Sequence, residues 1–191
     1  MNTKRTTIII FCLLLPLFIT LFSYKSTLFF IDGTPEQQNT FDYLNNKASL
    51  TQEYTESEIS HLEDVQVVMK YSDIVFYLLL LVLTFIITFY RKDTKQVQKL
   101  VKYGGITTLS VVGTVSLLSI FSFNKAFTFF HAILFPQGNW QFPIESVLIH
   151  TFPYTFFVSF AIKMGIQAFC WGIVFILVFI YVQYGLTSTK H

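Results

Sequence analysis

The chain has 191 residues, 53% of them hydrophobic and only 13% charged, with a formal net charge of +2. A mean hydropathy of +0.56 excludes an ordinary soluble domain, and so small a net charge implies no nucleic-acid partner. The composition is that of one compact, mostly lipid-embedded domain covering residues 1–191.

Four apolar stretches, residues 7–22, 74–90, 103–121 and 165–184, contain no Asp, Glu, Lys or Arg. Each is about long enough for a helix crossing ~30 Å of hydrocarbon. The polar segments 23–73 and 122–164 hold ten of the eleven carboxylates and three of the four histidines. They follow the first and third spans, so both emerge on the same side of a bilayer. Lys4, Arg5, Arg91, Lys92, Lys95, Lys99, Lys102 and Lys190 crowd the short flanks on the other side, whereas Lys25, Lys47, Lys70, Lys125 and Lys163 are spread over the long segments. The positive-inside rule predicts cytoplasmic termini, a cytoplasmic loop over 91–102 and two extracellular loops. The expected fold is an all-α integral membrane protein, four transmembrane helices under an extracellular cap of short amphipathic helices.

The first span follows Lys4 and Arg5 as a signal peptide would, but its apolar run exceeds a normal h-region and residues 21–25 offer no small-x-small cleavage site; it is read as an uncleaved anchor. Cys12 is a poor lipid acceptor, with bulky Phe11 where a small residue would be needed. Cys12 and Cys170 lie in opposite halves of the bilayer, which disfavours a disulfide or a cysteine-ligated metal. The pattern carries no signature of an oligomeric state.

In the first outer loop Thr34-Pro35-Glu36-Gln37 is a capping box with proline at the first helical position, predicting a short helix to about Asn45. A second capping box, Thr55 to Glu58, precedes apolar residues at Ile59, Leu62, Val65 and Met69 and predicts a helix running unbroken into the second span. On it Glu58, His61 and Asp64 are lateral neighbours. A carboxylate beside an imidazole fixes its tautomer and favours its protonated form, as acid–base catalysis needs; the bland alternative is a solvated charged face.

In the second outer loop Phe127, Phe130, His131, Leu134 and Phe135 follow the rhythm of an apolar helical stripe, with Lys125, Thr128 and Ala132 on less apolar faces. The alternative is an ordinary aromatic belt. A histidine inside such a stripe is costly unless it finds a partner. Residues 136–139 predict a turn, and Trp140 is placed for the membrane interface. Pro143 is expected to start a short helix with Glu145 in its first turn, interrupted by Pro153. His150 reads as structural or exposed, and the terminal His191 as incidental.

There is no H-E-x-x-H, C-x-x-C, G-x-S-x-G or Gly-rich phosphate loop, so metalloprotease, thiol redox, serine-elbow and nucleotide-driven mechanisms lack support. The spans carry no ionisable groups for ion or proton transport. The residues leave open histidine acid–base chemistry on a substrate at the outer leaflet, including lipid acyl transfer or hydrolysis, and a non-catalytic scaffold or accessory subunit.

Two motifs narrow this: H-L-x-D-V (His61, Leu62, Asp64, Val65) before the second span, and F-F-H-x-I-L-F (Phe129 to Phe135) followed by W-x-F (Trp140, Phe142) between the third and fourth. Motifs and placement together resemble the bacterial lipoprotein intramolecular transacylase family of four-span membrane proteins. An Asp is expected shortly after W-x-F; Pro143 stands there, and no role passes to it. The resemblance implies a cell-membrane acyltransferase whose partners are membrane lipids and diacylated bacterial lipoproteins. The middle-carbon (sn-2) acyl chain of the N-terminal S-diacylglyceryl-cysteine moves to the cysteine's α-amine, giving a lyso-form lipoprotein. Ester and amine belong to one molecule, so positioning and proton management suffice, and the downhill exchange of ester for amide requires no cofactor or metal. Direct attack passes through an eight-membered ring; a transient acyl-histidine is the alternative. His61, oriented by Asp64 or Glu58, and His131 are the expected catalytic residues. The first assignment makes neutral, buried His131 the base and imidazolium-prone His61 the acid, and the reverse assignment stays open. Phe130, Phe135 and Trp140 are expected to line an acyl groove, with Phe127 and Glu58 also among the substrate contacts.

Overall fold

The computed structural model describes residues 3–188, with side chains through Gln183; Lys190 and His191 lie outside the described residues. The elements are α1 (Thr3–Phe29), α2 (Pro35–Leu44), α3 (Glu56–Phe89), α4 (Thr94–Phe121), α5 (Phe123–Leu134), α6 (Val147–Thr151) and α7 (Tyr154–Ser188). Helices α1, α3, α4 and α7 are long and apolar enough to cross a membrane. At ~1.5 Å per residue, the 34 residues of α3 reach about 50 Å, some 20 Å beyond the hydrocarbon thickness. Its charged residues, Glu56, Glu58, Glu63, Asp64, Lys70 and Asp73, all precede Ile74. The first half of α3 is therefore a polar stalk and the second half the membrane span.

Local chemistry sets the boundaries. Thr34 and Thr55 form complete capping boxes with Gln37 and Glu58, satisfying N–H groups that helix starts leave unpaired. Pro143 does not start α6 as the sequence suggests. It closes a turn in which Ser146 N–H donates to its carbonyl at 3.0 Å, and Ser146 is the N-cap, its hydroxyl accepting from Ile149 N–H at 3.2 Å. Glu145 thus precedes the helix. Pro153 separates α6 from α7, because Phe152 before it is held out of helical geometry. Helix α7 starts at once after this break, eleven residues before the fourth apolar stretch.

In the bundle α1 packs against α3, α4 and α7, and α4 packs against α7. Phe11, Leu15 and Ile19 of α1 meet Leu83 and Ile86 of α3, Leu100 and Val112 of α4, and Ala168 of α7. Lipid is as apolar as this core, so association depends on close fit. Gly104 provides it: a Cβ there would lie 2.7 Å from Leu15 Cδ2 and 2.8 Å from Phe11 Cε1. Ion pairs brace the ends, Lys25 with Asp73 at the capped end and Lys4 with Asp93 at the other.

The cap has its own core of Leu44, Tyr54, Leu62, Leu148 and Phe152. Buried polar groups knit it together. Gln37 Nε2 donates to the Thr151 carbonyl at 2.7 Å, Tyr54 Oη donates to Thr151 Oγ1 at 3.2 Å, and Thr40 Oγ1 lies 2.9 Å from Tyr54 Oη. This knot joins α2 and α6.

Gly104→Val should lower stability by about 1–3 kcal/mol, the usual cost of overpacking, measured by thermal unfolding in detergent. Gly113→Val is the control, since a Cβ there meets nothing within 4 Å, and should unfold close to the wild-type temperature.

Candidate active site

Helix α3 presents Glu58, His61 and Asp64 along one side at three-residue spacing. Glu58 is 1% exposed. Its Oε2 accepts from Thr55 N–H at 2.7 Å and from the Thr55 hydroxyl at 2.8 Å, and its Oε1 accepts from Leu148 N–H at 2.8 Å. Burial alone would raise its pKa; the Leu148 and Thr55 bonds outweigh that and hold it below the usual carboxylate range. One carboxylate thus serves the N-termini of α3 and α6 together. The expected contact with His61 gives way to this clamp, because helix-start N–H groups have the stronger claim on a buried anion.

Asp64 also has a different partner from the one expected. Its Oδ2 accepts from Gln137 Nε2 at 2.7 Å and from Asn139 Nδ2 at 2.6 Å, fastening the turn after α5 to the stalk. Between these two carboxylates sits His61, 7% exposed, with Nδ1 buried and lacking a hydrogen-bond partner.

Helix α5 turns His131 inward. The face carrying Phe127, His131 and Phe135 packs into the cap, while Phe129, Phe130 and Ile133 are exposed, as are Lys125, Thr128 and Ala132. His131 is also 7% exposed. Its Nδ1 lies 2.8 Å from the Phe127 carbonyl, which only accepts, so Nδ1 carries the proton of the neutral ring and Nε2 keeps its lone pair.

The two imidazoles, seventy residues apart in the chain, face each other with centroids 6.3 Å apart and planes inclined by 27°. Phe135 bridges them, 4.7 Å from His61 and 5.6 Å from His131. Phe127 at 3.9 Å and Trp140 at 5.0 Å enclose His131, and Phe142 at 5.6 Å closes the far side of His61. Phe130 contacts His131 at 5.4 Å but is 54% exposed, whereas Phe135 is 3% exposed. Of the residues expected to line a groove, Phe135 is instead a buried wall and Phe130 an outer edge.

Burial lowers the pKa of both rings. For His61, desolvation leads, the neighbouring His131 adds to it, and Asp64 and Asn139 oppose it, leaving about 4. For His131 desolvation again leads and the bond to Phe127 opposes it. Desolvation thus opposes the imidazolium expected on His61, and Asp64, whose hydrogen bonds go to amides, offsets it only in part. His150 is exposed and apart from the pair. Among the described residues no set of three or more His, Cys, Asp and Glu is grouped to hold a metal ion.

Residues 6–157 match the family model of the lipoprotein intramolecular transacylase Lit. The chain belongs to this family. It is therefore a membrane-embedded acyltransferase, a lipoprotein intramolecular transacylase at family level. The membrane integral Lit of Bacillus cereus has the same fold, with a TM-score of 0.83 at 17% identity over 98% of this chain and 99% of that one. Structures of two single-histidine variants of that protein superpose with TM-scores of 0.77, also at 17% identity over 98% of this chain, covering 95% and 96% of theirs. No curated protein matches. Asn139 and Phe142 are site-forming residues that sequence reasoning missed, and Gln137 is an exposed tether of the turn beside them. Phe142 was visible in the W-x-F motif, whereas the amides read only as turn formers.

Depressed histidine pKa values mean that the unfolded chain binds protons before the folded one does. The contribution of His61 to stability is complete above about pH 6.5 and is lost as pH falls toward about 4, and that of His131 changes in the same direction. Thermal unfolding temperature should drop over that window, and His61→Phe should flatten the drop. Glu58→Ala should cost about 1–3 kcal/mol by leaving buried N–H groups unpaired, read from the same melting curves at pH 7.

Proposed function

We propose that this chain transfers the sn-2 acyl chain of a lipoprotein's S-diacylglyceryl-cysteine to the cysteine α-amine, giving the lyso form, with His61 and His131 moving the protons. The observation carrying this reading is the pair of buried, neutral imidazoles held 6.3 Å apart in an aromatic enclosure. Two rings from separate polar segments converging in one enclosure is the arrangement that paired acid–base work on a single substrate headgroup requires.

In this scheme the amine nitrogen attacks the ester carbonyl carbon, forming the amide bond while the bond from that carbon to the glycerol oxygen breaks. The Nε2 lone pair of His131 takes the proton that nitrogen loses. That proton passes through the pair to Nε2 of His61, which delivers it to the departing alkoxide, so both rings end neutral as they began. His61 suits delivery for a reason opposite to the one its sequence neighbours suggest: burial and the adjacent ring make any proton it holds labile. With that one proton accounted for, neutral amine plus ester yields amide plus alcohol with no net proton change. Phe135, Phe127, Trp140 and Phe142 exclude water, which would otherwise compete by hydrolysis.

The charge pattern supports a location for this work on the extracellular face of a bacterial cytoplasmic membrane. Lys4, Arg91, Lys92, Lys95, Lys99 and Lys102 lie at the end of the bundle opposite the cap, the distribution the positive-inside rule associates with the cytoplasm. The exposed apolar flank of α5, Phe129, Phe130 and Ile133, then rests among lipids beside the substrate's own chains.

His61→Ala and His131→Ala should each reduce lyso-form lipoprotein at least about a hundredfold, the lower range for acid–base groups, at unchanged protein level. Mass spectrometry of lipoprotein N-termini from expressing cells measures this. Undiminished product from both variants refutes the assignment, and purified protein that releases fatty acid from diacylated lipopeptide instead of an isomer of equal mass is a hydrolase.

A further inference from the structure

The reading of His61 as a proton-transfer residue leaves one feature without a role, a pair of orphaned polar atoms beside it. Asn139 Nδ2 donates to Asp64 Oδ2 at 2.6 Å. A carboxylate oxygen only accepts, so this bond fixes the amide orientation and aims Oδ1 the other way. That Oδ1 is buried with no hydrogen-bond partner, and so is Nδ1 of His61. An unpaired buried donor or acceptor costs free energy comparable to a lost bond; here the two are complementary, and Asp64, which holds the Asn139 amide, is the neighbour of His61 one turn along α3.

We propose that Asn139 is a positioning residue for His61. Its Oδ1 accepts the Nδ1–H of the neutral ring, so that Nε2 keeps its lone pair for the reaction, and Asp64 holds the amide in the required orientation. Asp64 thus acts on His61 through an intermediary amide. The arrangement matches what the Phe127 carbonyl does for His131 at 2.8 Å, so both rings stand in the Nδ1–H tautomer with Nε2 available. Gln137 donates to the same Asp64 oxygen at 2.7 Å but is exposed and only tethers the turn. The titratable groups acting on His61 are His131 from α5 and Asp64 from its own helix. Both are unchanged in Asn139 and Gln137 variants.

The full-length protein, labelled with nitrogen-15 in histidine and held in bicelles, reports the tautomer without any turnover. Wild type and Gln137→Ala should show His61 protonated at Nδ1, and Asn139→Ala should show a tautomer mixture. Asn139→Ala should also lose about tenfold in transfer rate, the scale of outer-contact losses, with its acid limb moved to lower pH because an acceptor favouring the protonated ring is gone; Gln137→Ala should leave that limb in place. If Asn139→Ala does not accumulate, Asn139→Asp puts a second carboxylate beside the ring and should move the limb upward. A wild-type His61 signal in Asn139→Ala, an equal tautomer change in Gln137→Ala, or an unmoved limb in Asn139→Asp overturns the proposal. Failure of the transacylase reading looks different: full transfer by His61→Ala, whatever the tautomer spectra show.

Discussion

The cap depends on one buried carboxylate. Glu58 has no cation beside it; its charge is met by N–H groups of Thr55 and Leu148 and the Thr55 hydroxyl. Two helix starts ninety residues apart share an acceptor, so the first and second polar segments cannot shift independently. An ammonium partner would have allowed a flexible side chain to follow such a shift. Backbone donors allow almost none, because their positions are fixed by the helices they begin.

The consequence for the site follows from helical spacing. One turn below Glu58 on α3 comes His61, and one turn below that comes Asp64, which grips the segment after α5 through Gln137 and Asn139. The second polar segment is therefore fastened to α3 above and below His61, and the stretch between the fastenings carries Trp140 and Phe142. His131 hangs from the end of α5 just before the lower fastening. The 6.3 Å between the rings is thus set by rigid helix geometry and charged hydrogen bonds, the kind of support that precise placement of catalytic groups requires.

Much of this was legible in the sequence. The apolar stretches gave the crossing helices, both capping boxes formed as written, and His131 in an aromatic stripe pointed to a buried imidazole. The shared side of the two polar segments brought His61 and His131 within reach of each other in principle. What the sequence could not reveal is who answers a carboxylate. Glu58 and Asp64 stand three residues from His61 and read as its partners, but their actual partners are a backbone N–H at residue 148 and amides at 137 and 139, and no periodicity encodes those pairings. The expected protonation of His61 meets the same limit: local spacing reports the charges nearby, whereas desolvation by Phe135 and Phe142 comes from tertiary packing. Pro143 illustrates a smaller failure, a residue fit for the first helical position that the chain uses in the preceding turn because Ser146 supplies the better cap.

Burial also constrains how the proposed transfer handles charge. Two imidazolium rings this close, in surroundings with little water, repel strongly, and His131 indeed lowers the proton affinity of His61. The pair consequently holds at most one proton under ordinary conditions. A resting site with two charged rings would repel an ammonium substrate, and one already holding a proton would lack part of its capacity to activate the amine. In the proposed transfer a neutral pair does neither: it admits the amine, accepts one proton as the nitrogen attacks, and makes that proton unstable where it sits. In that scheme the group with a rising demand for it is the glycerol oxygen losing its acyl carbon. Low proton affinity, which would be a defect in an isolated base, becomes useful once donor and acceptor belong to the same substrate and the proton is needed again at once.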